Sequence, residues 1–90
     1  MNDTNNKELS MQFPCVFPVK VMGLNSEAFS SAILSIFHKH LKPDEISCSE
    51  QRSRSNTYLS LTVTFTAQSK AQLDAIYQDL KDHELVLMTL

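Results

Sequence analysis

The segment from residue 58 to residue 67 alternates strictly between two kinds of side chain. Its even positions all carry hydroxyl groups, in Tyr58, Ser60, Thr62, Thr64 and Thr66. Its odd positions are all apolar, in Leu59, Leu61, Val63, Phe65 and Ala67. Because successive side chains of a strand point to opposite faces of a sheet, the segment predicts a long strand of an antiparallel sheet with one buried and one open face.

Two further segments have the period of amphipathic helices and can cover the buried face. The first helix is predicted over residues 26–41, with Asn25 or Ser26 suited to cap its start and Pro43 stopping it. The second is predicted over residues 70–82, after a capping-box pair formed by Ser69 and Gln72.

Three more strands are predicted from shorter alternating or apolar segments. The first covers residues 18–22 and ends at Gly23, with Pro14 and Pro18 confining the preceding residues to an extended lead-in at the sheet margin. The second covers residues 45–49 and is followed by a polar loop over residues 50–56. The last strand covers residues 84–90.

The order of these elements, βαββαβ, predicts the α+β class and a ferredoxin-like sandwich: a four-stranded antiparallel sheet with two helices on one face. We expect the first and third strands at the centre, parallel to each other, and the second and last strands at the edges. Residues 12–90 would form this single domain, and the polar residues 1–11 a disordered tail. The open face would present Lys20, Met22, Tyr58, Ser60, Thr62 and Thr64.

Composition excludes several classes of function. The 90 residues contain one glycine, Gly23, whereas phosphate-binding P-loops and dinucleotide fingerprints need at least two. A net charge of −2 argues against nucleic acid as a partner. No segment has the length of a membrane span, and the polar start lacks the features of a signal peptide, so we expect no membrane association and a cytoplasmic location.

The cysteines and histidines do not form a pattern that indicates catalysis or metal binding. Cys15 and Cys48 are expected to be reduced, buried small hydrophobes on apolar strand faces. His38 and His40 are two positions apart and would point to different sides of a helix, which favours surface roles over a shared metal. We therefore predict no enzyme activity, no metal and no cofactor; an enzyme that uses His or Cys is the minor alternative.

The chain resembles the YbeD-like family of small bacterial proteins over about residues 13–90. The resemblance is carried by Phe13-Pro14, Phe17, Lys20-Val21-Met22-Gly23, Ser60-Leu61-Thr62-Val63-Thr64, Leu73, Tyr77, Leu80 and the closing Val86-Leu87-Met88-Thr89-Leu90. It implies a ferredoxin-like fold similar to ACT-type regulatory domains, no established activity, and a link to lipoate metabolism. The Ser/Arg-rich residues 49–56 depart from the family, so nothing transfers to them. Arg52 and Arg54 there would contact an anion or an acidic partner, or simply be solvated.

Two functions follow as hypotheses. The first is a non-catalytic regulatory or protein-interaction module that pairs with itself as a dimer or with an unknown protein partner, because edge strands offer unpaired backbone groups. The second is a site for a small anionic metabolite at the turn after the first strand, formed by Lys20, Gly23, Asn25 and Ser26 at the start of a helix. The alternative for Gly23 is a purely structural turn that requires positive φ.

Overall fold

The computed structural model describes residues 12–90, so the predicted disordered tail over residues 1–11 lies outside the described residues. The elements are β1 (Cys15–Leu24), α1 (Glu27–His40), a 3₁₀ turn (Pro43–Glu45), β2 (Ile46–Arg52), β3 (Tyr58–Ala67), α2 (Lys70–Asp82) and β4 (Met88–Thr89). Two helices and a four-stranded antiparallel sheet confirm the predicted ferredoxin-like architecture.

The sheet order is β2-β3-β1-β4, which places β1 and β3 at the centre as predicted. The two central strands are antiparallel, however, with Cys15 opposite Ala67 and Leu24 opposite Tyr58. The expectation that they run parallel was wrong. The crossover through α1 makes β1 parallel to β2, and the β2–β3 hairpin then reverses β3.

Strand β1 starts earlier than predicted and continues through Gly23 to Leu24. Pro18 lies inside it, opposite Thr64. Lys20, two residues further on, exchanges both backbone hydrogen bonds with Leu90 on the β4 side, at 3.1 and 2.8 Å. Since backbone direction alternates along a strand, the missing N–H of Pro18 also faces that side and not β3. The proline therefore does not interrupt the central pairing.

The edge strands also differ from their predicted bounds. Strand β2 extends to Arg52, so the first part of the predicted loop over residues 50–56 is paired with β3. Strand β4 comprises only Met88 and Thr89, although backbone bonds from Leu87 to Met22 and between Leu90 and Lys20 extend its attachment to β1.

Both helices begin and end close to the predicted residues because local capping determines their starts. The Ser26 side chain accepts a hydrogen bond from the Phe29 backbone N–H at 3.1 Å, and Ser69 does the same for Gln72 at 3.1 Å. The Gln72 side chain accepts from the N–H of Gln68 rather than of Ser69, one residue before the position that a capping box requires.

The core lies between the helices and the odd-numbered face of β1 and β3. It includes Val19 and Val21 of β1, the odd positions of β3, and an edge-to-face contact of the Phe37 and Phe65 rings at 5.9 Å between centroids. No polar side chain is buried among the described residues. The even-numbered positions form the open face, as predicted. Within residues 12–90 neither helix is long and apolar enough to cross a membrane.

Candidate functional site

Gly23 is required by close packing, not by backbone conformation. It lies in extended β1, opposite Leu59, and no glycine of the described residues has positive φ, so the structural alternative of a positive-φ turn was wrong. A Cβ on Gly23 would lie 2.5 Å from Cδ1 of Phe29 and 2.7 Å from the carbonyl oxygen of Leu85. The glycine thus lets the first turn of α1 and the segment before β4 close onto β1.

The turn that follows Gly23 uses its polar groups internally. The Asn25 N–H donates to the Thr57 carbonyl at 2.9 Å, and the Asn25 side-chain amide donates to the Asn56 carbonyl at 3.1 Å. The Ser26 hydroxyl caps α1. These bonds tie the start of α1 to the β2–β3 hairpin, a long-range contact that sequence spacing did not reveal.

The structure separates Lys20 from the other three residues of the predicted metabolite site. Lys20 is exposed on the open face of the sheet, whereas α1 starts on the opposite face. Lys20 instead lines a shallow pocket of about 230 Å³ together with Met22, Tyr58, Ser60 and the end of β2. Ser26 lines a different cleft of about 170 Å³, whose other residues are Leu24, Phe29, Glu84, Leu85 and Leu87.

Two of the three histidines form structural contacts. His40 Nε2 lies 2.7 Å from Asp79 Oδ2 and joins α1 to α2, with Lys39 Nζ 3.4 Å from the same oxygen. The His40 hydrogen bond, helped by Lys39, lowers the pKa of Asp79. His83 Nδ1 accepts from the Leu85 N–H at 3.1 Å just after α2. Among residues 12–90 no group of His, Cys, Asp or Glu is arranged to hold a metal ion.

The two cysteines have different environments. Cys15 is half-buried, but Cys48 is exposed, so the expectation that both are buried was wrong for Cys48. Cys48 is on the same side of the sheet as the buried Val63 opposite it, yet β2 lies at the margin, where only Ile46 of that strand is even half-buried. Although the residue is exposed, desolvation of its sulfur by neighbouring atoms, and secondly the charge of Glu50, raise the pKa of the Cys48 thiol.

The predicted Ser/Arg-rich loop is divided between β2 and the hairpin. Arg52 is the last residue of β2, and its guanidinium lies 3.7 Å from the Glu50 carboxylate. Both side chains are more than half exposed. Arg54 is exposed in the hairpin loop. Arg52 also lines the pocket of about 230 Å³ that contains Lys20.

Exposed apolar side chains cluster along β4. Leu87 is 57% exposed, Met88 50% and Leu90 64%, and Leu24 at the adjoining end of β1 is 55% exposed. Leu24 and Leu87 line the same cleft. The sequence indicated a strand here, but both faces of it carry exposed apolar side chains, which an alternating pattern would not produce. Solvent-exposed apolar clusters of this kind are typical of interaction sites.

A groove runs between α2 and β4. It has a volume of about 340 Å³ and is lined by Tyr77 and Lys81 of α2 and by Val86, Leu87, Met88 and Thr89. The Tyr77 hydroxyl donates to the Leu90 carbonyl at 3.4 Å, and burial raises its pKa, so the phenol stays neutral. Lys81 has no ion-pair partner within residues 12–90 and supplies the positive charge of the groove.

The backbone of β4 is open on the side away from β1. The sheet order places β4 at an edge, and no strand among the described residues pairs with its outer side. Leu90 bonds to Lys20, so by strand alternation the N–H and C=O of Thr89 point outward. An apolar groove, a lysine and an unpaired strand edge therefore meet at one place, the β4 edge (Tyr77, Lys81 and residues 86–90).

Comparisons with known proteins give a family and a fold. A family model described as "Protein of unknown function (DUF493)" matches residues 8–90. A UPF0250 protein of Nitrosomonas europaea is 40% identical over 85 residues, covering 93% of this chain and 98% of the relative. Another, from Leptothrix cholodnii, is 39% identical over 94 residues and covers both chains fully.

A solved structure shows the same architecture. The solution structure of HP0495 from H. pylori superposes with a TM-score of 0.74 at 16% identity, covering 89% of this chain and 85% of that one. At this identity the likeness concerns the fold alone.

Proposed function

This chain belongs to the DUF493 family of bacterial proteins, also called UPF0250, and we propose that it is a non-catalytic protein-interaction module. Its β4 edge binds an extended segment of a partner protein, which adds to the sheet as a fifth strand. The observation that carries the proposal is the coincidence of exposed Leu87, Met88 and Leu90 with the unpaired outer side of β4.

Strand addition accounts for both features of the edge. The outward N–H and C=O of Thr89 offer backbone hydrogen bonds to an incoming strand. The groove between α2 and β4 receives every second side chain of that strand, because side chains alternate across a sheet. Covering the exposed leucines and Met88 removes apolar surface from water, which supplies the driving force.

The groove also defines the chemistry of the partner segment. Most of its lining is apolar, so apolar side chains occupy it at alternate positions. Lys81 at its rim pairs with an acidic side chain, since this lysine has no acidic partner within residues 12–90. The favoured segment is therefore extended, apolar at alternate positions, and carries one Asp or Glu.

We also propose that this module has a regulatory role of the ACT-like kind. Binding of one segment at an edge is sufficient to recruit or withhold a partner protein without chemistry. The link to lipoate metabolism remains a prediction from the family resemblance, and the contacts of the described residues neither favour nor oppose it.

The geometry supports the metabolite site at the turn less well. The N–H of Asn25 and the hydroxyl of Ser26 already have partners within the fold. Glu27 lies in the first turn of α1 and Glu84 lines the adjoining cleft, so a bound anion would face two carboxylates. Lys20 is on the other face of the sheet.

Selection from a display library of short random peptides tests the proposal with a defined probe. We expect peptides with alternating apolar residues and one acidic residue, and we expect Lys81→Glu to change the preferred charge to basic. The best peptide should bind Leu87→Asp about tenfold more weakly or worse. Val16→Asp is the matched control, because Val16 is 71% exposed but lies opposite Thr66, outside the part of β1 that pairs with β4. Equal loss in both variants would contradict the proposal.

A further inference from the structure

The other edge of the sheet has a different character. Strand β2 is seven residues long, lies at the edge opposite β4, and is exposed from Ser47 to Arg52. No strand of residues 12–90 pairs with its outer side. Its exposed part has no large apolar side chain and carries one acidic and one basic residue, Glu50 and Arg52, two positions apart.

We propose that β2 pairs antiparallel with β2 of a second copy of this chain, with the twofold axis passing Gln51. In that register residue 51+n of one copy lies opposite residue 51−n of the other. Glu50 of each copy then lies opposite Arg52 of its partner, so one edge forms two identical ion pairs. The resulting dimer has a continuous eight-stranded sheet.

The side chains of these residues are on the correct faces for such pairs. Glu50 is opposite Leu61 and Arg52 opposite Leu59 in the β2–β3 pairing, so both point to the helix side of the sheet. They are already 3.7 Å apart within one chain, and both are exposed enough to reach across an edge. Opposite charges directly across a strand pair stabilise it, whereas like charges destabilise it.

The backbone of β2 favours the same register. The Ser53 N–H donates to the Tyr58 carbonyl at 2.9 Å, so the backbone of Ser53 faces β3. By alternation the backbone groups of Glu50 and Arg52 point outward. In the proposed register these outward groups meet, and each Glu50–Arg52 pair exchanges two backbone hydrogen bonds as well as a charge contact.

Neighbouring registers with the same facing lose the charge pairing. An axis at Glu50 places two glutamates opposite each other. An axis at Arg52 places two arginines opposite each other and puts Glu50 opposite Arg54, which lies in the hairpin loop beyond the end of β2. The charges therefore select a single alignment of two copies while opposing others. Charged side chains can also keep the edge of a sheet unpaired. Charge-swap variants distinguish this role from pairing with a second copy.

A charge-swap series followed by sedimentation equilibrium tests the pairing. Glu50→Arg and Arg52→Glu should each weaken the dimer about tenfold or more, because each creates two like-charge contacts. The double variant Glu50→Arg/Arg52→Glu should restore it to within about threefold. Mixing the two single variants should also restore dimers, since every cross-strand contact is then attractive.

Cysteine cross-linking tests the register in a background with Cys15→Ser and Cys48→Ser. Two copies of position 51 face each other across the axis, with Cα atoms about 4.5 Å apart, which a disulfide can span. Gln51→Cys should therefore form covalent dimers on oxidation. Ser49→Cys is the matched control, since its two copies would be about 13 Å apart.

The results that would overturn the pairing of two copies differ from those that would overturn peptide binding at β4. A wild-type chain that stays monomeric at millimolar concentration, single charge variants that dimerise like the wild type, or equal cross-linking at positions 49 and 51 would each overturn the proposal. Because β2 and β4 are opposite edges, the Leu87→Asp variant should dimerise normally, so failure here is distinct from failure of peptide binding at β4.

Discussion

The ring of Phe29 occupies the space that a side chain on Gly23 would need. An added Cβ would lie 2.5 Å from its Cδ1 atom, with the Leu85 carbonyl oxygen only 2.7 Å away on the same side. The contact joins the end of β1, the first turn of α1 and the segment that leads to β4. The position of the β4 edge therefore depends on this glycine.

Gly23→Ala should destabilise the fold by about 1–3 kcal/mol, the usual cost of overpacking a well-packed site. Urea denaturation measures this cost. In a Phe29→Leu background the same substitution should cost less, because the smaller side chain yields space, although the Leu85 carbonyl stays. An equal cost in both backgrounds would show that the Phe29 ring is not the obstacle.

Ser26→Ala should destabilise the protein by about 1 kcal/mol, because the Phe29 N–H loses its capping partner. Ser31→Ala, an exposed substitution inside the same helix, is the control and should be neutral or slightly stabilising. Thermal or urea unfolding of both variants checks the difference. Equal stability of the two variants would exclude a capping role.

The contact between Asp79 and His40 should make the free energy of unfolding depend on pH in the acid range. The His40 hydrogen bond, helped by Lys39, lowers the pKa of Asp79 in the folded state. The contribution is then fully present above the unfolded pKa of about 4 and lost as pH falls through the lower folded value. Unfolding free energies of wild type and Asp79→Asn should therefore differ at neutral pH and converge in strong acid.

The matched control for that series is Asp74→Asn, which removes a carboxylate from α2 that contacts Lys70 within the same helix. Like Asp79→Asn, this substitution removes one negative charge, but the contact that it breaks lies within α2 and does not join two helices. If it reproduced the pH-dependent difference of Asp79→Asn, the contact between α1 and α2 would not be the cause.

Cys48 should react slowly with iodoacetamide in dilute protein. Partial burial, and second the charge of Glu50, raise its pKa above the ordinary 9.0, so less thiolate is present at neutral pH. Glu50→Gln should increase the rate and lower the midpoint of the pH–rate curve, yet leave it above the ordinary value. Mass spectrometry of the labelled chain measures both the labelling rate and the midpoint of the pH–rate curve. An unchanged midpoint would exclude Glu50 as a contributor.

The sequence predicted those elements whose signals are local. The capping serines Ser26 and Ser69 and the helical spacing of apolar residues determined both helices. Strict alternation determined β3 in full. The element order then determined the sheet order, but the predicted parallel direction of β1 and β3 was wrong because the β2–β3 hairpin reverses β3.

Features that depend on contacts between distant segments were not predictable in this way. The reason for Gly23 requires the Phe29 ring and the Leu85 carbonyl, and the His40–Asp79 pair requires the packing of α1 on α2. Apolar alternation predicted that Cys48 is buried, but its exposure depends on how far the helices extend over β2. The separation of Lys20 from Ser26, in contrast, follows from strand alternation alone, since Lys20 is on the open face of the sheet and α1 begins on the other.

If a partner segment adds to the outer side of β4, it should protect the backbone amide of Thr89 from hydrogen exchange. The Thr89 N–H points away from β1 and has no strand opposite it among residues 12–90. With a saturating selected peptide, its exchange should slow at least about tenfold, because a new backbone hydrogen bond protects it. Peptide binding that leaves Thr89 exchange unchanged and protects amides elsewhere would show that the peptide does not add to the outer side of β4.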